Sequence, residues 1–115
     1  MNIDIMEETA KNLYFLHQEL KKLDESLYEN KKQYSNKIAI KELLEKYGCE
    51  YFPNEFQVIH RDIRPNNIIV NKNRIHFIDF DFVAYGDLFF EIGSSAMLIS
   101  GFEIEKAKKV CKDIQ

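Results

Sequence analysis

Tryptophan is missing from this 115-residue chain, and cysteine, proline and glycine are scarce, at two, two and four residues. Two cysteines, Cys49 and Cys111, cannot build a disulfide framework, and no close Cys/His cluster offers the ligands of structural zinc. They read as reduced thiols in a cytosolic protein. No glycine precedes Gly48, so the first half holds no loop in which several backbone N–H groups converge on an anion. Neither a Walker motif nor a dinucleotide fingerprint occurs anywhere. Long apolar runs are also missing. The longest candidate, residues 92–99, falls short of the roughly 18 residues of a membrane span and is broken by Ser94 and Ser95. The N-terminus carries acids where a signal peptide needs bases. Lys and Arg number 16 against 19 Asp and Glu, a net charge of -3. That balance argues against the broad basic field of a nucleic-acid binder, whereas phosphorylated small molecules need only a few local charges. The expectation is a soluble cytoplasmic chain with neither a nucleic-acid nor a membrane partner.

What is present suits one folded domain with a modest core: 45% of residues are apolar and 30% charged, outside the range of disordered chains. Leu13, Leu16, Leu20, Leu23 and Leu27 recur at spacings of three and four, which predicts an amphipathic helix over residues 7–27. Packing within the chain explains this stripe, with a partner surface as the alternative. Ser26 and Glu29 have capping-box spacing, so a second helix is expected to start there. Tyr34, Ile38, Leu44 and Tyr47 mark a further helical face that Gly48 ends.

Beyond Pro53 the periodicity changes. Residues 56–60 read as a strand entering a polar loop, and residues 67–70 and 75–78 as two strands joined by an Asn-containing turn. His76 alternates with Ile75 and Phe77 and is expected to face away from them. A hairpin of this kind brings its polar ends together: Asp62 and Asn67 precede it and Asp79 follows it. Such a set suits phosphoryl transfer, in which hard cations take carboxylate and amide oxygens and a separate carboxylate orients the acceptor hydroxyl. Asp62 is then the base, and Asn67 and Asp79 the metal ligands. Singly, each is equally well a loop cap, a turn amide or a solvated strand end. Phe80, Phe82, Phe89 and Phe90 are expected to fill the core rather than to clamp a substrate ring. Gly101 breaks the chain before a final helix over residues 102–113.

The combination carries more than its members. His60-Arg61-Asp62-Ile63-Arg64-Pro65-Asn66-Asn67, with Asp79 later in Ile78-Asp79-Phe80, resembles the H-R-D-x-x-x-x-N and metal-loop signatures of kinase-like phosphotransferases. Asp81 replaces the glycine of a protein kinase D-F-G, and no A-P-E follows. The run from Ile78 through Gly86-Asp87 to Glu91-Ile92 is instead similar to that of the aminoglycoside phosphotransferase and choline kinase group, with Glu91 where that group more often has aspartate.

The resemblance implies Asp62 as catalytic aspartate, with Asn67 and Asp79 holding Mg²⁺ and the nucleotide, and His60 as a structural residue of the loop. Arg64 is implied as a cation near the transferring phosphoryl group, or else as a surface ion pair. Asp81 is implied as an additional metal-side acid, or else as a solvated turn residue. The implied fold is α+β: the mostly helical C-terminal lobe of a protein-kinase-like fold, with a small β-hairpin carrying the catalytic and metal loops. Residues 1–54 would be helical, 55–92 the catalytic-loop and metal-loop core, and 93–115 helical. ATP and Mg²⁺ would be the cofactors and a small-molecule hydroxyl the acceptor. The family's nucleotide-binding N-lobe and distal helices do not fit in this length. The expectation is thus a truncated product or one component of a split phosphotransferase, completed by an N-lobe chain or by homo-oligomerisation. A non-catalytic interaction module is the alternative.

Overall fold

Asn2 opens the first helix by accepting a 2.8 Å hydrogen bond from the Ile5 N–H, which satisfies one of the free donors of the first turn. In the computed structural model, which describes residues 1–31 and 55–114, this helix, α1, spans Ile3–Leu20. It buries Met6, Ala10, Leu13, His17 and Leu20 along one face. It therefore starts earlier and ends sooner than the leucine spacing predicts. The cause is local: Asp24 accepts hydrogen bonds from both the N–H and the hydroxyl of Ser26, and such side-chain contacts compete with helix continuation. Those bonds hold the Asp24 carboxyl below its usual range. A 3₁₀ turn, Glu25–Lys31, follows, so the capping residue is Asp24 rather than Ser26. Leu23 and Leu27 are exposed, and the packing stripe ends at Leu20. Tyr34, Ile38, Leu44, Tyr47, Gly48 and Cys49 lie outside the described residues.

Among the described residues, four short strands form two antiparallel pairs. Strand β2 (Ile68–Asn71) pairs with β3 (Arg74–Phe77), Asn71 opposite Arg74. The two residues between them, Lys72 and Asn73, have φ of 50° and 64°, the left-handed pair that a two-residue type I′ hairpin requires. Ile75 is buried and His76 exposed, the alternation expected. Strand β1 (Phe56–Ile59) pairs with β4 (Ala84–Asp87), with Phe56 opposite Asp87 and Ile59 opposite Ala84. Strand β4 is not apparent in the sequence: its residues include a glycine, carry no β-branched side chain and pair only with a distant segment.

Asp87 ends β4 and caps α2 (Leu88–Ile99) by accepting from the Phe89 N–H at 3.0 Å. At the other end Phe102 N–H reaches Met97 O and Gly101 N–H reaches Leu98 O, a Schellman closure with Gly101 at φ 67°. Helix α3 (Ile104–Ile114) follows and packs against both α1 and α2. The core joins Met6, Ala10 and Leu13 of α1, Ile92, Ala96 and Ile99 of α2, and Val110 and Ile114 of α3. Ile63, Ile68 and Ile75 from the loop and hairpin complete it. The architecture is α+β, as the resemblance implies. No helix among the described residues is long and apolar enough to cross a membrane. Of the four phenylalanines expected in the core, only Phe89 packs there. Phe80, Phe82 and Phe90 are exposed at 41%, 53% and 48%, because they lie on the turn between β3 and β4 and on the outer side of α2. Cys111 is a free thiol, and burial pushes its pKa up.

Two substitutions separate the packed stripe from its exposed continuation. Leu13→Ala, at a position with no exposed surface, should lower stability by about 2–5 kcal/mol. Leu27→Ala, 76% exposed, should stay within about 0.5 kcal/mol. Urea midpoints of the two variants check this, and equal losses would contradict the placement of the helix end.

Candidate active site

The site is organised from behind by one carboxylate. Leu88 N–H donates to Glu55 O at 2.8 Å, which fixes the start of α2 beside the entry to β1, and α2 then packs along β1. One turn into that helix, Glu91 is 2% exposed. Its Oε1 accepts from Arg61 N–H at 2.5 Å, and its Oε2 from His60 N–H at 3.3 Å. Oε2 also lies 2.7 Å from His17 Nε2 on α1. A carboxylate removed from water is tolerated when donors replace its hydration, and here three do. Arg61 has φ 76°, a left-handed conformation costing a non-glycine residue roughly 1–2 kcal/mol. The bond from its own N–H to Glu91 holds it there and turns the loop.

His60 bridges the loop to the segment behind the hairpin. Its ring, in a residue with no exposed surface, accepts at Nδ1 from Asp62 N–H at 3.1 Å. The ring proton is therefore on Nε2, which donates to Ile78 O at 2.9 Å. The imidazole also lies 4.6 Å from the Phe80 ring, centroid to centroid. Asn67 makes a second bridge. Its Nδ2 donates to Asp62 Oδ2 at 2.8 Å and to Asp62 O at 2.9 Å. Its backbone carbonyl oxygen accepts from Ile78 N–H at 3.0 Å. Both polar groups of the Ile78 backbone are thus anchored to the loop, and Ile78 directly precedes Asp79.

With its nitrogen on Asp62, Asn67 has only its side-chain oxygen left to serve as a ligand, on a residue that is 6% exposed. Asp79 is exposed and left-handed at φ 61°. Its Oδ1 accepts from Asp81 N–H at 3.3 Å, so Asp81 is the turn residue after it, with its side chain at the surface. Arg64 Nε lies 3.2 Å from Asp62 Oδ1, with side chains 49% and 19% exposed. Asp62 is therefore held on one oxygen by an amide and on the other by a guanidinium. Asn67 and Asp79 are hard oxygen donors of the kind Mg²⁺ selects. Among the described residues no group of three or more His, Cys, Asp and Glu side chains is arranged to hold a metal ion. A divalent ion here would take few protein ligands and complete its shell with phosphate and water oxygens, as Mg²⁺ commonly does.

The sequence motif marks the front of this site and not its back. Glu91 entered only as a residue aligned with a motif acid, and His17 and Gln57 did not enter at all. A signal for His17 existed: it interrupts an apolar stripe at a buried register position between Leu13 and Leu20. Nothing local in the sequence points to Gln57, whose Nε2 donates to His17 O at 2.9 Å.

A family model described as "Phosphotransferase enzyme family" matches residues 5–107. No curated protein and no solved structure matches the chain.

Removing the buried acceptor strands two backbone donors and an imidazole. Glu91→Ala should therefore cost about 3–5 kcal/mol, and Asn67→Ala about 1–3 kcal/mol. Urea unfolding measures both. A Glu91→Ala loss below that of Asn67→Ala would show that the carboxylate does not organise the loop.

Proposed function

The chain belongs to the phosphotransferase enzyme family, and from that premise we propose that its loop and hairpin serve ATP-dependent transfer of the γ-phosphoryl group to a hydroxyl of a small molecule. The observation that carries this reading is the pair of hydrogen bonds that Asn67 Nδ2 donates to Asp62. It fastens an acid suited to proton abstraction to an amide suited to metal binding, and faces the amide's oxygen elsewhere. Asp62 would orient the acceptor hydroxyl and receive its proton as the oxygen attacks phosphorus and the bond to ADP breaks. Asn67 and Asp79 would hold Mg²⁺, which when bound neutralises charge on the phosphate oxygens. Asp81 would support the same side through the turn it makes with Asp79. Arg64, now on Asp62, is near enough in sequence and space to add positive charge where the phosphoryl group transfers. The setting would be the cytoplasm.

A second reading, in which the loop is scaffold for a non-catalytic interaction module, draws on the exposed Phe80, Phe82 and Phe90. Calorimetric titration with Mg·ATP distinguishes the two. Saturable binding is expected, weakened at least about tenfold by Asp79→Ala, whose lost carboxylate would remove a metal ligand. Asp62→Ala should keep nucleotide affinity and lose phosphoryl transfer. No binding by the wild-type chain, or equal binding by Asp79→Ala, overturns the phosphotransferase reading.

A further inference from the structure

We propose that the outward face of the β2–β3 hairpin is a self-association surface, occupied by a second copy of this chain laid antiparallel across it about a two-fold axis. The inference goes beyond the phosphotransferase reading and shares with it only the acidic turn at Asp79 and Asp81.

The register divides the hairpin into two faces. Opposed residues point to the same side and successive residues alternate, so Ile68, Val70, Ile75 and Phe77 share one face and Ile69, Asn71, Arg74 and His76 the other. The first face is turned inward: Ile68 and Ile75 lie in the core and Phe77 packs against it. On the second face all four residues are exposed. The bond from Ile78 N–H to Asn67 O carries the ladder one pair further and places Ile78 on that face, diagonal to Ile69. A solvated face of an antiparallel sheet is normally polar, yet this one leaves Ile69 and Ile78 exposed at 46% and 38%. Strand β2 also lacks the lysine or proline that commonly blunts a free strand.

Charge selects the occupant. The hairpin tip is basic, with Lys72 in the turn and Arg74 beside it, and the open end is acidic, with Asp79 and Asp81. All four are exposed, and among the described residues none of them has an ion-pair partner, whereas Arg64 is already on Asp62. Arg74 and Asp79 are separated by about 17 Å of extended strand. A basic end, an apolar middle and an acidic end in line make a pattern that is its own complement when reversed. A two-fold axis near Ile69 therefore sets the tip of each copy on the acidic end of the other and buries the apolar middles together, an isologous contact. A partner of one charge sign would satisfy one end and be repelled at the other, which costs affinity. The face is small, so the dimer belongs with weak, reversible associations.

Sedimentation equilibrium of the full chain, without nucleotide, tests this. The wild type should be monomeric when dilute and at least half dimeric by about 500 μM, the range of a small interface. Lys72→Glu with Arg74→Glu, and separately Asp79→Lys with Asp81→Lys, should each weaken self-association at least about tenfold, because like charges then meet at both ends. An equimolar mixture of the two double variants should recover a one-to-one dimer, since each end again meets its opposite. A wild type that stays monomeric leaves the face to a nucleotide base or a different protein and overturns the proposal. A dimer that either charge reversal leaves intact, or a mixture that does not recover one, overturns it as well. Should a double variant fail to fold, dilution of the ¹⁵N-labelled wild type decides: amide shifts should move over residues 69–78 and stay fixed in α3, and the opposite pattern contradicts the proposal. Self-association without Mg·ATP binding sinks the functional reading alone, and Mg·ATP binding by a chain that stays monomeric sinks this one alone.

Discussion

A carboxylate that has left water must be given donors or it destabilises the fold that buries it. Glu91 is given three, from α1 and from two consecutive backbone amides of the loop, and much of the site follows from that requirement. The loop turns where it does because Arg61 N–H has to reach Oε1. The helix α2 starts where it does because Asp87 caps it and Leu88 is bonded to Glu55. The β1–β4 pairing, which looks minor as a sheet, is what brings the capped start of α2 to the base of β1.

The front of the site is held by different means. Two bridges, His60 to Ile78 O and Asn67 O to Ile78 N–H, lock the residue before Asp79 to the loop that carries Asp62. The hairpin turn at Lys72 and Asn73 sets the register that makes these bridges possible. Asp79 is thereby presented on a short left-handed turn, exposed, with its geometry set by backbone contacts rather than by packing. Asp62 and Asn67 are held largely out of solvent while Asp79 is exposed, and rigid support of this kind is what chemistry dominated by positioning and electrostatics requires.

The fold was legible where the signal is local. The hairpin strands, the alternation of Ile75 and His76, the stop at Gly101 and the final helix were all readable from period and turn chemistry. The end of α1 was not, because Leu23 and Leu27 continue a helical spacing that Asp24 overrides with its side chain. Strand β4 was hidden because Ala84-Tyr85-Gly86-Asp87 has no strand character of its own and exists through pairing with β1. The three exposed phenylalanines were misjudged because hydrophobicity says which residues prefer burial, not which find a neighbour. At the site, Asp62, Asn67 and Asp79 were legible as a motif, while His17, Gln57 and the work of Glu91 depend on contacts between segments far apart in the chain.

In the proposed function Asp62, Asn67 and Asp79 would face one metal–phosphate site whose loop Glu91 holds from behind. Paramagnetic Mn²⁺, added substoichiometrically with ATP to the labelled chain, tests it most directly. The account requires selective broadening of the Asn67 side-chain NH₂ and the Asp79 amide, with α3 signals unchanged. Broadening confined to other acidic surfaces such as Glu103 and Glu105, or none in either loop, would contradict it.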